Sequence, residues 1–208
     1  MQLPSSYFTT SLLVLGWIFR GCHAQDTTYA PVDTVDISAY DGRWFQMYTS
    51  FGFLFLELGG NCVTADYVIR EDGLLSLVNQ ARPFPFFPRV LARTTGFIAP
   101  NPDSTAPQGT FTVDQQYVIT LDPDDIEYED PGNYWIIGLG PILNGEYQWA
   151  AVSDAERSVS FVLARDVATF RELYDDDATA VFESFGGFDS FFVNRPIMTS
   201  HFLCAGYP

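Results

Sequence analysis

Asp41-Gly42-Arg43-Trp44, running on into Phe45-Gln46-Met47-Tyr48, is the stretch on which the fold turns. A turn followed by an aromatic residue is common, and alone it decides little. Its weight comes from a second segment far down the chain, Ser160-Phe161-Val162-Leu163-Ala164-Arg165, an apolar strand that runs straight into an arginine. In a closed antiparallel barrel the first and last strands are neighbours. The Trp44 indole and the Arg165 guanidinium can then meet and close one end of the barrel as a cation–π pair. A buried tryptophan and an unrelated surface arginine is the plainer alternative, and the segments between the two decide the matter.

Those segments read as one strand after another, separated by turn chemistry. Residues 62–70 alternate, Glu71-Asp72-Gly73 makes a hairpin turn with Asp-Gly at its tip, and residues 74–81 return. Further strands are predicted over 90–99, 109–121, 133–140, 147–153 and 159–165, which with the Trp44 strand makes eight. The next segment changes period. Thr169-Phe170-Arg171-Glu172 fits a capping box, and Phe170, Leu173, Tyr174, Val181 and Phe185 fall on one helical stripe that Gly186-Gly187 ends. The pattern predicts an all-β fold: an eight-stranded antiparallel up-and-down barrel with one C-terminal α-helix packed outside. Eight strands are about the number that encloses one small ligand. There is no internal repeat and no change of composition that would mark a domain boundary.

Residues 1–24 read as a signal peptide, with an apolar run from Leu12 to Phe19 and small residues at Cys22 and Ala24 before the expected cleavage. The run is far short of a bilayer span. The domain proper is therefore expected over 25–208, and the protein is expected to be secreted. All ten basic residues are arginines against 26 acids, a formal net charge of −16 that becomes one unit more negative without Arg20. Such a surface repels polyphosphate, which excludes nucleic acid as a partner. Cleavage leaves two cysteines, Cys62 and Cys204, which in an oxidising compartment most simply form one disulfide; two free buried thiols are the alternative.

Catalytic chemistry is hard to assemble from what remains. His201 is the one histidine past the leader, no Gly-x-Ser-x-Gly occurs, and metal sites of His and Cys lack ligands, so neither a metal nor a cofactor is expected. Asp122 and Asp124 match two positions of a calcium loop, but Ile126 stands where a third ligand should be, and a solvated loop reads better. A thiol-dependent isomerase would need a free cysteine facing the cavity.

The residues from Asp36 to Met47, Asn61-Cys62-Val63-Thr64-Ala65-Asp66-Tyr67, Arg70-Glu71-Asp72-Gly73, Val78-Asn79-Gln80, Tyr134-Trp135-Ile136-Ile137, Tyr147-Gln148-Trp149-Ala150-Ala151-Val152 and Phe161-Val162-Leu163-Ala164-Arg165 together resemble the lipocalins, most closely the apolipoprotein D-like and bacterial lipocalin branch. The resemblance covers roughly residues 36–204. It implies an eight-stranded calyx whose base is closed by Gly42, Trp44 and Arg165, and a Cys62–Cys204 bridge that fastens the tail. It also implies that Tyr67, Asn79 and Phe161 face the cavity; strand alternation adds Tyr134 and Trp149. The function implied is a secreted carrier of a small hydrophobic molecule, whether lipid, sterol, fatty acid, retinoid or carotenoid. The alternatives are a lumenal enzyme acting on a lipid or pigment in the calyx, and a barrel with a filled interior. The turn at 141–147 departs from the family's Thr-Asp-Tyr pattern.

Two loops expected at the barrel mouth are unusually apolar: the first carries Phe53 and Phe55, the second Phe84, Phe86 and Phe87 between Arg82, Arg89 and Arg93. They read either as a lid folded inward or as a rim that touches a membrane or lipoprotein surface.

Overall fold

The computed structural model describes residues 28–56, 60–82, 92–116, 130–202 and 204; the leader and most of the acidic loop lie outside them. In chain order the described elements are α1 (Ile37–Tyr40), β1 (Gly42–Ser50), α2 (Phe51–Leu56), β2 (Asn61–Ile69), β3 (Leu75–Arg82), β4 (Ala92–Pro100), β5 (Thr110–Gln116) and β6 (Tyr134–Leu139). They continue with the short β7 (Ile142–Leu143) and β8 (Glu146–Tyr147), then β9 (Trp149–Ser153), β10 (Phe161–Ala164), α3 (Val167–Leu173), α4 (Asp175–Phe185) and β11 (Pro196–Met198). Strands β1 to β6, β9 and β10 pair antiparallel in sequence order. The ring closes where β10 meets β1, through Phe45↔Ala164, Gln46↔Leu163, Tyr48↔Val162 and Thr49↔Phe161. All eight predicted strands are present, and the barrel is closed.

Alternation sorts the side chains into two cores. Trp44, Ala65, Tyr67, Leu77, Ile98, Phe111, Ile136, Val152 and Leu163 fill the interior. Met47, Ile137, Trp149, Ala151, Val162 and Ala164 form an outer layer with Phe170, Ala178, Phe182 and Phe188. A bulge between Gln46 and Tyr48 turns both Met47 and Tyr48 to that outer layer. Gly138 lets α4 approach closely, since a Cβ there would sit 2.9 Å from Val181 Cγ2. The helical segment thus covers β6, β9, β10 and β1 through Phe170, Tyr174, Val181 and Phe185 of the predicted apolar stripe, whereas Leu173 of that stripe is 59% exposed.

Its details differ from the expectation. The single helix over 169–185 is two, α3 and α4, with Tyr174 (φ −128°, ψ −6°) between them. The N-cap is Asp166, whose Oδ1 accepts from the Thr169 amide at 2.7 Å, so Thr169 lies inside the first turn. A carboxylate is a stronger acceptor than a hydroxyl and favours the positive end of the helix, so the earlier residue wins the cap. Hydrogen bonds from Thr169, its backbone amide foremost, hold the Asp166 carboxyl below the ordinary carboxylate range. A depressed carboxylate stabilises the fold above its unfolded pKa and loses that contribution as pH falls through its folded one. Asp166→Ala should therefore cost about 1 kcal/mol near neutral pH, with the gap to wild type closing in acid. Urea titrations at the two pH values check this; an equal gap at both would mean the carboxylate is not the cap.

The turn at 141–147 is a short hairpin. Asn144 (φ +55°) and Gly145 (φ +86°) form the tip of the β7–β8 hairpin, the Asn-Gly pairing suited to a tight two-residue turn.

Strand β11 is an addition that the sequence did not suggest. β1 pairs with β2 only from Gly42 to Phe45; beyond that the two diverge, and Tyr48, Thr49 and Ser50 pair instead with Met198, Ile197 and Pro196. The Thr199 amide donates to the Met47 carbonyl and the Cys62 amide to the Ser200 carbonyl, both at 2.8 Å. The tail therefore satisfies backbone groups that the splayed strands would leave open. The Cys62–Cys204 disulfide, with Cα atoms 5.6 Å apart, fastens it there.

Candidate functional site

The site is built from the closed end upward. Trp44 is fully buried, and its Nε1 donates to the Tyr40 carbonyl at 2.8 Å. The Arg165 guanidinium carbon lies 3.9 Å from the centre of the indole. Arg165 also donates to four carbonyls: Nη1 to Arg43 at 2.8 Å, Nη2 to Asp41 at 2.6 Å and Ala39 at 3.0 Å, and Nε to Tyr147 at 3.3 Å. One side chain thus ties α1, β1 and the β8 turn together. Gly42 (φ +99°) makes room for it, because a Cβ there would come 3.1 Å from Nη1. The Trp44–Arg165 pairing read from the sequence is present with Gly42 beside it.

Above this plug lie three tyrosines. Tyr40 packs on Trp44 with ring centres 4.9 Å apart, and its hydroxyl is 2.7 Å from that of Tyr134, which is 2.9 Å from that of Tyr67. Burial pushes the Tyr67 phenol up to about 12 and raises those of Tyr40 and Tyr134 well above the ordinary phenol value, so all three stay protonated across the physiological range.

Tyr67 and Tyr134 form the floor of a cavity of about 110 Å³ walled by Val63, Ala65, Val152, Val159, Phe161 and Leu163, with Gln46, Thr64 and Asn79 as further polar residues. Phe53, on α2, stands at its edge and meets Phe161 edge-on, ring centres 4.8 Å apart and planes at 84°. Gln46 is buried, and its Nε2 reaches the Thr199 hydroxyl of the inserted tail at 3.3 Å. The tail thus contacts a residue of the cavity wall.

Of the residues expected to face the cavity, the structure brings together Tyr67, Asn79, Tyr134 and Phe161. Trp149 is a correction. The inward residues of β9 are Ala150 and Val152, so Trp149 lies one register position off, on the outer face with Ala151. Its indole packs over Gly140, where a Cβ would come 2.5 Å from Cδ1. Phe53 lines the edge of the cavity against Phe161. The side chain of Phe55, and Phe84, Phe86 and Phe87 entirely, lie outside the described residues. Sequence reasoning missed Tyr40 and Gln46. The second was within reach, since it lies two residues after Trp44 on the same strand and so shares its face.

No protein-family model matches this chain. No curated protein sequence matches it either. Among solved structures, it is similar to one described as a major allergen, Per a 4, from cockroaches. The identity is 18% and the TM-score 0.44, with 82% of this chain and 92% of that chain covered.

Proposed function

We propose that the protein is a secreted carrier that holds a small hydrophobic molecule in the barrel, a lipocalin-type calyx of the apolipoprotein D-like kind. The observation that supports it most is the cavity itself: apolar walls above a polar floor, inside a barrel closed at one end by Trp44 and Arg165. The order of sequence motifs supports the lipocalin reading, and the Cys62–Cys204 bridge supports an oxidising compartment reached by way of the 1–24 leader. That bridge also takes up both cysteines a thiol-dependent reaction in the domain would draw on.

Solvent extraction of protein from its native source, followed by mass spectrometry, tests the proposal. A hydrophobic compound near equimolar with protein supports it. An empty extract, with no saturable binding of retinol, sterol or fatty acid, would identify a filled barrel.

Size refines the reading. The cavity is well below the roughly 300–1,000 Å³ of sites that take drug-sized ligands, so a retinoid needs it to enlarge, and Phe53 at its edge is the described residue we propose moves. Breaking the Phe53–Phe161 edge contact costs about 0.5–1.5 kcal/mol. Phe53→Ala removes that cost and should tighten retinol binding by up to about tenfold, read by retinol fluorescence. Weaker binding in the variant would make Phe53 a wall of the site and not its gate.

A further inference from the structure

We infer that the floor of the cavity selects a neutral ligand that bears a hydrogen-bond acceptor, such as a ketone or aldehyde oxygen, and seats that acceptor on the Tyr67 hydroxyl. The inference rests on the ligand-binding reading above and narrows it, since ionised fatty acids and other carboxylates are then excluded.

Proton counting carries the argument. Tyr40, Tyr134 and Tyr67 bring three hydroxyl protons, and the two contacts among them, at 2.7 and 2.9 Å, use two. Beyond the contact that the Tyr40 and Tyr67 hydroxyls make with each other, the third proton has no acceptor among the described residues. A buried donor left without a partner is costly, which drives the site to find one. Tyr67 and Tyr134 line the cavity, whereas Tyr40 sits behind them against Trp44. If Tyr40 donates to Tyr134 and Tyr134 to Tyr67, the spare proton stands on Tyr67, at the cavity. The reverse order strands it on Tyr40, away from any ligand; with Tyr40 and Tyr67 both donating to Tyr134 it stands on Tyr134, also at the cavity but without a two-step relay. An acceptor in the cavity selects the first order, and each bond in the relay then polarises the next, making Tyr67 a stronger donor than a lone phenol.

Charge carries the second half. The described lining residues bear no ionised side chain; their polar members are Gln46, Thr64, Tyr67, Asn79 and Tyr134. The nearest guanidinium below the floor, Arg165, is committed to four carbonyls and the Trp44 face. A carboxylate entering here would be a buried charge without a counter-ion among the described residues, inside a chain of net charge −16. Such burial costs far more than the hydroxyls return.

Three probes with one heavy-atom skeleton test this: cumene, acetophenone and benzoate, titrated into the intact protein and followed by protein NMR. Acetophenone should bind saturably. Benzoate should fail near neutral pH and bind only when acidified to benzoic acid; this comparison needs no variant. Tyr67→Phe should weaken acetophenone about tenfold while cumene holds its affinity, with circular dichroism confirming the fold. Benzoate binding as well as acetophenone near neutral pH, or a Tyr67→Phe change that moves acetophenone and cumene alike, would overturn the inference and leave the carrier reading standing. Failure of all three probes and of retinol would overturn both.

Discussion

Trp44→Ala is expected to lower the unfolding free energy by about 3–5 kcal/mol, the range for truncating a fully buried large aromatic. The size follows from where the indole sits. It is wholly buried between Tyr40 and Arg165, and its Nε1 proton is spent on the Tyr40 carbonyl at 2.8 Å. Truncation removes the apolar burial and leaves a void directly under the tyrosine floor. It also unseats Arg165, whose guanidinium loses the face it lies on at 3.9 Å. Arg165→Ala should cost less, because its partners are backbone carbonyls that water can reach once the arginine is gone. The two losses should overlap. A double-mutant cycle is expected to give a coupling of about 1–2 kcal/mol, the range for a desolvated cation–π pair. Strict additivity in denaturant melts would show that the contact holds no energy of its own. Ligand binding should fall with stability in Trp44→Ala, since the void lies beneath Tyr40, which hydrogen-bonds Tyr134 of the cavity floor.

The barrel was legible because its signals are local and repeat. Eight alternating strands, an Asp72-Gly73 turn and a terminal Ala164-Arg165 opposite Gly42-Arg43-Trp44 agree on one closure, and each rests on period-two patterning that survives small errors of boundary. The site was legible where alternation could be anchored to a landmark. Tyr67 lies on the face of Ala65, which pairs with Trp44, and Phe161 lies on that of Leu163. Trp149 had no such anchor. Every residue of β9 is buried, so hydrophobicity cannot say which face is inside, and a shift of one position inverts the assignment. The split of the helix at Tyr174 and the cap at Asp166 were obscured by Thr169 and Glu172, a good capping box that lost to a nearby carboxylate. Strand β11 was illegible for a simpler reason. Three residues, Pro196-Ile197-Met198, are too few to show a period, and their place is dictated by a gap between β1 and β2 that exists only once the barrel has closed.

Cys204→Ser is expected to destabilise the protein by about 4–5 kcal/mol, the chain-entropy value for opening a loop of this length, the two cysteines being 142 positions apart. Cys204 is the better target because Cys62 is buried, and a serine there would add an unpaired hydroxyl to the loss of the bridge. The intact protein should gain two hydrogens in mass on reduction, and a free thiol in the untreated protein would rule the bridge out. The tail makes a further separation possible. Its pairing with β1 and β2 runs through Thr199 to Met47 and Ser200 to Cys62, neither of which needs the sulfur atoms. If the disulfide acts only on the unfolded chain, the Thr199 amide of the variant keeps its protection from hydrogen exchange relative to the rest of β1, and the denaturation midpoint alone falls. If the bridge holds the tail in its slot, Thr199 exchanges early while the barrel is still folded. In that case Gln46, which meets the Thr199 hydroxyl at 3.3 Å, loses its outer partner and the cavity wall loosens with it. Ligand affinity measured beside exchange then reads which role dominates: unchanged affinity with lower stability for the first, and parallel loss of protection and affinity for the second. An unchanged midpoint would sink both, and would mean that β-pairing alone secures the tail.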